Sequence, residues 1–129
     1  MKDFTLHPEA LELKKLGFNE PCFGYYHEDM SISYTGIFGQ NTNSFWLPSP
    51  NKIFTAPTYS QAFRWFRKEY ALESYIRPNL CVDVPKTYQF NINNNIDDVW
   101  YETYEEAELA CLKKLIEIVK EGNKWNYYN

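Results

Sequence analysis

Hydrophobic positions along this chain change their period several times, and each change marks the border of an element. The first stretch sets Leu6, Leu11, Leu13 and Leu16 among polar residues and predicts a short helix over residues 8–16. His7 is its expected N-cap. Pro8 fits the first helical position, where the missing N–H has no partner to lose, and Glu9 suits the positive helix end. Leu6 and Leu11 have the spacing of a hydrophobic staple. Lys14 and Lys15 sit near the negative end, and Gly17 stops the helix with Phe18 folding back on Leu13.

Apolar and polar positions then turn β-like. Residues 22–27 and 31–38 read as two strands joined by Glu28-Asp29-Met30, with Gly36 a bulge. A polar turn over 39–43 precedes a third strand at 44–47. Pro48 and Pro50 restrict the following segment to edge or loop, and 52–55 reads as a short further strand. Helical spacing returns at Thr58, where Thr58-Tyr59-Ser60-Gln61 has the form of a capping box. Tyr59, Ala62, Phe63, Phe66 and Tyr70 share one face of this helix, and Ser60, Arg64, Arg67 and Lys68 the other. The helix is expected to end before Pro78.

Strands are predicted at 80–84 and 86–92, split by Pro85. Asn93-Asn94-Asn95 forms a turn, because Asn tolerates left-handed backbone angles, and 99–102 returns as a strand. The last helix starts at a second capping box, Thr103-Tyr104-Glu105-Glu106. It carries an apolar stripe of Ala107, Cys111, Leu115 and Ile118, widened by Leu112 and Val119, and stops at Gly122. The two helix starts share Thr-Tyr-x-(Gln/Glu)-Ala, and each follows β-rich sequence. Either two β-β-α units stack as one antiparallel sheet, or good caps simply resemble each other. The fold class expected is α+β: an antiparallel sheet with three helices in the order α-ββ(β)-α-ββ(β)-α, the helices mainly on one face.

At 129 residues the chain has the size of one domain, expected over residues 1–122, with an aromatic tail over 123–129. Hydrophobic residues at 44% and charged residues at 23% are ordinary for a globular protein, so disorder is a poor reading of the middle of the chain. The aromatic content of 19% is not ordinary. Part of that surplus builds core and sheet; Tyr also supplies contacts at interfaces. A net charge of −4 argues against a general nucleic-acid binder, and the interleaving of 17 carboxylates with 13 cations argues against a DNA mimic. The odd set Cys22, Cys81 and Cys111 reads as buried free thiols of a reducing cytoplasm. Met1-Lys2-Asp3-Phe4 leads straight into a helix signal with no secretory segment, and no apolar run has membrane-spanning length.

No residues present themselves for catalysis, a cofactor or a metal. The cysteines fall on apolar strands or the stripe of the last helix, where a thiol is usually packing. His27-Glu28-Asp29 is the densest polar cluster, but adjacent side chains point apart, and the cluster reads as a solvated hairpin turn. Asp97-Asp98 reads the same way. Gly17, Gly24, Gly36, Gly39 and Gly122 match no phosphate-binding loop. A hidden enzyme site would need a deep polar pocket around His27, or a cysteine with a base beside it.

Surface chemistry is more telling. Arg64, Arg67 and Lys68 project together from the second helix, with Trp65 at the flank and Arg77 following the helix. Arg beside aromatic residues serves protein hot spots and phosphate contacts alike. This is a plain solvated face, a protein contact or a nucleic-acid contact, with protein placed ahead of nucleic acid. Phe45, Trp46 and Leu47, between polar and proline-rich flanks, mark either a partner surface or the middle of the sheet.

Three segments carry a resemblance: Leu16-Gly17-Phe18-Asn19-Glu20-Pro21-Cys22-Phe23, Ala56-Pro57-Thr58-Tyr59-Ser60-Gln61-Ala62-Phe63-Arg64-Trp65-Phe66-Arg67, and Tyr101-Glu102-Thr103-Tyr104-Glu105-Glu106-Ala107-Glu108-Leu109-Ala110-Cys111-Leu112. Together they resemble a group of small phage and prophage proteins associated with Bacteroidota. The resemblance implies context and no catalytic residue. It points to a non-enzymatic binding protein acting in the bacterial cytoplasm on a protein or nucleoprotein, including inhibition of a CRISPR effector. The alternative is a nucleic-acid-binding accessory of phage replication or transcription. The expected partner-binding residues are Arg64, Trp65, Arg67, Lys68, Arg77, Phe45 and Trp46; no cofactor and no membrane are expected.

Overall fold

Helix α1 spans His7–Lys15 and ends as its glycine foretold. Gly17 takes a φ of +103°, its N–H donates to the Lys14 carbonyl at 3.0 Å, and the Phe18 N–H donates to the Leu13 carbonyl at 2.9 Å, which is a Schellman stop. Its beginning differs from expectation. His7 lies inside the helix, Leu6 precedes it, and no side chain caps the first amides. The His7 ring instead packs edge-on against Tyr26 and Phe54, with centroids 5.2 and 5.0 Å away, so the core claims the side chain before the helix end can use it. Leu6 is exposed, while Leu11 packs against the core.

The structure, a computed structural model, describes residues 3–27, 29–34, 54–81, 83, 85–97 and 99–122. The expected bulge at Gly36, the strand over 44–47, the Phe45-Trp46-Leu47 patch and the tail over 123–129 lie outside the described residues. The fold is α+β. Among the described residues, α1 is followed by β1 (Gly24–Tyr26), β2 (Ile32–Tyr34), β3 (Phe54–Ala56), α2 (Tyr59–Tyr70), β4 (Ser74–Pro78), β5 (Tyr88–Ile92), β6 (Asn95–Ile96) and α3 (Tyr104–Lys120). The strands form two antiparallel sheets of three, ordered β2-β1-β3 and β4-β5-β6, where the sequence suggested one sheet. Two compact units divide the chain, Met1–Ala62 and Phe63–Asn129, with the boundary inside α2.

In the first unit, Phe4, Ala10, Tyr26, Phe54 and Ala56 form a buried cluster to which Leu11 and Ile32 add. Gly24 in β1 is needed for close approach: a Cβ there would lie 3.0 Å from the Phe4 ring. The Tyr26 hydroxyl donates to the Thr5 carbonyl at 2.7 Å, fixing the N-terminal segment. Thr58 caps α2 by accepting from the Gln61 N–H at 3.2 Å. The Gln61 side chain does not reach back; it donates to the Pro21 carbonyl at 2.9 Å, so only half of the expected capping box forms.

In the second unit, α2 stops at Tyr70, several residues earlier than the sequence suggested. Ala71 adopts a left-handed φ of +55°, and its N–H donates to the Arg67 carbonyl at 3.1 Å. Neither glycine nor proline announces this stop. Asn93 secures it from a distance. Its side chain accepts from the Glu73 N–H at 2.7 Å and donates to the Ala71 carbonyl at 3.1 Å, and its own N–H donates to the Glu73 carbonyl at 2.7 Å. Asn93 and Asn94 have φ of +49° and +67°, the two left-handed residues of a tight hairpin between β5 and β6. Because alanine is strained at Ala71, Ala71→Gly is expected to raise stability by about 0.5–1 kcal/mol, read from the shift in urea midpoint.

Residues 80–84 were expected as a strand, but Leu80 and Cys81 lie in no strand and are exposed. The Asn79 side chain accepts from the Cys81 N–H at 3.0 Å and bends the chain there. The expected strand over 99–102 reduces to a single bridge between Tyr88 and Tyr101. Helix α3 matches its prediction. Thr103 accepts from the Glu106 N–H at 3.1 Å, and Ala107, Cys111, Leu112, Leu115, Ile116 and Ile118 are buried. Val119 is only half-buried, and Ile116 takes the place expected of it.

Candidate protein-binding surface

The β4-β5-β6 sheet sorts its side chains by parity. Register pairs Ser74 with Ile92, Ile76 with Phe90 and Pro78 with Tyr88 on one face, and Tyr75 with Asn91 and Arg77 with Gln89 on the other. The first face meets α3. Phe90 and Ile92 are buried there, Tyr101 stacks on Phe90 at 6.3 Å, and Tyr104 stands edge-on to Tyr88 at 5.8 Å. Lys86 adds a cation 5.9 Å from the Tyr88 ring.

The second face has a different composition. Tyr75 is 52% exposed, Ile96 lies opposite Asn91 and is also exposed, and the segment after β6 contributes Trp100, 41% exposed, whose ring lies beside Arg77. Arg77 is exposed but fixed. Its Nε donates to the Gln89 Oε1 at 3.0 Å, and its guanidinium carbon lies 5.7 Å from the centroid of the Trp100 ring. Gln89 is buried and its amide in turn donates to the Asp97 carbonyl. Asp97 accepts at 3.1 Å from the hydroxyl of Tyr101, whose ionisation is pushed up to about 12 by burial first and by Asp97 second. A chain of contacts thus runs from the body of the unit to the arginine head. A side chain pre-ordered in this way has little conformational entropy left to lose in any further contact.

Asn91, between Tyr75 and Ile96 in the sheet, is 3% exposed, and its Oδ1 accepts no hydrogen bond among the described residues. Buried acceptors usually find partners, so an orphaned one asks for a reason. It lies on the parity of the sheet that presents Tyr75 and Arg77.

The basic residues of α2 lie where the sequence placed them: Arg64, Arg67 and Lys68 are exposed. Trp65 does not join them. It is 5% exposed and packs edge-on against Phe66 at 5.1 Å and Tyr70 at 5.4 Å. The apolar arc of α2 is turned by one position from the expected one, because Trp65 buries more area than Phe63, which is left half-buried. Trp65 is core, not a flank available to a partner. Arg77 stands in a strand of the sheet and not simply after the helix. Tyr75, Ile96 and Trp100 do not figure among the expected surface residues, although Ser74-Tyr75-Ile76-Arg77 already alternates as a strand would.

The remaining polar candidates are accounted for locally. His27 Nε2 lies 2.6 Å from the Ser33 hydroxyl, and Asp29 accepts from the backbone and hydroxyl of Ser31, which hold its carboxyl below the usual range. These contacts build the hairpin between β1 and β2. Glu28 and Asp98 lie outside the described residues. No group of three His, Cys, Asp or Glu among the described residues is arranged to hold a metal ion. Burial pushes the Cys22 and Cys111 thiols up to about 12, so neither supplies a thiolate near neutral pH. Cys81, expected in a strand interior, is exposed.

No helix of the described residues is long and apolar enough to cross a membrane. Comparison of the chain with protein-family models, with curated proteins and with solved structures finds no match.

Proposed function

We propose that this chain is a non-enzymatic binding protein that acts by occupying another macromolecule, and that the Tyr75–Arg77–Trp100 face of the β4-β5-β6 sheet is its contact surface. The observation that carries this reading is the arginine held between Gln89 and Trp100 with exposed aromatic and aliphatic side chains around it. Tyr, Trp and Arg dominate the energetics of protein interfaces, and a charged head whose orientation is already fixed costs little to order. The partner proposed is a bacterial protein or nucleoprotein, including a CRISPR effector, as the sequence resemblance to phage and prophage proteins would imply.

Paired capture experiments test this. Wild-type protein and the Arg77→Ala/Trp100→Ala variant serve as baits for bacterial lysate and, separately, for purified effector. A stoichiometric partner retained by the wild type and lost by the variant is expected. A partner held equally by both, or no stoichiometric partner with either, defeats the reading.

A nucleic-acid contact has one observation in its favour, the three exposed cations Arg64, Arg67 and Lys68 on α2. It requires salt-dependent binding that weakens in Arg64→Ala/Arg67→Ala. Flat anisotropy titrations with DNA and RNA at low salt would remove it.

A further inference from the structure

Among the described residues, the β4-β5-β6 sheet ends on β4, which has β5 as its one neighbour. Its backbone polarity is fixed by two hydrogen bonds just beyond its ends. The Asn79 N–H donates to the Thr87 carbonyl and the Asn93 N–H to the Glu73 carbonyl, both at 2.7 Å. In an antiparallel ladder the residues that bond to a neighbour alternate. Glu73, Tyr75, Arg77 and Asn79 therefore turn their amides and carbonyls toward β5, and Ser74, Ile76 and Pro78 turn theirs outward. Pro78 has no N–H to leave unpaired, which is where a sheet tolerates proline. Among the described residues nothing pairs with the outward groups of Ser74 and Ile76.

We propose that this edge pairs with the same edge of a second copy of the chain, antiparallel and centred on Ile76. In this register the two Ile76 residues exchange a pair of backbone hydrogen bonds, and the Ser74 N–H of each copy donates to the Pro78 carbonyl of the other. Only the Ser74 carbonyls stay open, at the ends of the strand pair where water reaches them. Every other register of this strand shortens the overlap.

The side chains argue for a copy of itself as the occupant. Centring on Ile76 sets Tyr75 directly opposite Arg77 of the second copy, twice by symmetry. Cross-strand neighbours have Cβ atoms about 4.5–5.5 Å apart, which brings the phenol against the guanidinium. Trp100 already flanks that guanidinium, so the second ring completes its aromatic surroundings. No like charges face each other directly. The two sheets join into one of six strands whose outer face carries both Trp100 side chains. The pairing shares Tyr75 and Arg77 with the proposed contact face but does not rest on that reading; either can fail without the other.

Sedimentation velocity of the full chain over its soluble concentration range tests the pairing. The mass is expected to rise from 15.4 kDa toward twice that value. Tyr75 is exposed, so Tyr75→Lys and Tyr75→Glu are both expected to leave the fold intact, which thermal melts check. Lysine sets like charges against Arg77 in both copies and is expected to weaken association about tenfold. Glutamate opposite the same arginine is expected to preserve it. A wild type that stays monomeric throughout, or two variants that associate equally, overturns the proposal.

Discussion

Raising the pH from about 9 toward 12 is expected to remove a large part of the net stability of this protein, and replacing Cys22 and Cys111 with alanine is expected to reduce that loss. Both thiols are buried, and burial is the first cause that raises each from 9.0 to about 12. In the unfolded chain a thiol releases its proton near 9; in the folded chain it holds it to about 12. Between those values the unfolded state carries fewer protons, so stability falls as pH rises. It is fully present below 9 and lost as pH passes through the folded value. Each group contributes a slope of up to about 1.4 kcal/mol per pH unit, so the pair removes roughly 5 kcal/mol by pH 11. Native domains hold about 5–15 kcal/mol in total. Urea melts at pH 7 to 11 provide the check. The Cys22→Ala/Cys111→Ala variant starts lower at neutral pH, because each replacement leaves a small cavity, and then declines less steeply. Parallel curves for the two proteins would show that the thiols do not govern the alkaline limit.

Phe66→Ala is expected to cost about 3–5 kcal/mol, the range for a fully buried phenylalanine truncated to alanine. Phe66 is completely buried, stands edge-on to Trp65 at 5.1 Å and lies 6.1 Å from Tyr70. Its removal takes away apolar area and leaves two large rings facing a void that only partly collapses. Its carbonyl also receives the Leu72 N–H at the helix stop, so slack there spreads toward the start of β4. Phe63→Ala, three residues earlier on the same helix, is the natural comparison. Phe63 is half-buried, so its loss should cost well under half as much. Equal costs in urea melts would mean that the apolar arc of α2 is not turned toward Trp65 and Phe66.

These two helix positions show where sequence reasoning holds and where it stops. Helices α1 and α3 were legible because their ends carry local chemistry: Gly17 with its left-handed backbone, Thr103 capping Glu106, and Gly122 after the last turn. The Asn93-Asn94 turn was legible for the same reason. The end of α2 was not. Ala71 adopts a left-handed conformation that its side chain does not advertise, and Asn93, more than twenty residues away, supplies the hydrogen bonds that hold it. Missing that stop hid β4 inside a supposed helix, and with it the alternation that puts Tyr75 and Arg77 on one face. Arg77 stood out in the sequence because Arg beside aromatic residues is informative by type. Its real aromatic partner, Trp100, is distant in the chain, and only the β-pairing brings the two together. Trp65 was misplaced because a helical face defined by five apolar residues leaves its centre uncertain by one position.

Whether Arg77 and Trp100 form the contact surface is read most directly by calorimetric titration of the captured partner. Two variants are compared with the wild type, Arg77→Ala/Trp100→Ala on the sheet and Arg64→Ala/Arg67→Ala on α2. Truncating two central anchors is expected to weaken binding about a hundredfold or more, while the helix variant changes it little. An undiminished affinity for the sheet variant, with the loss falling on the helix variant instead, would contradict the assignment of the surface.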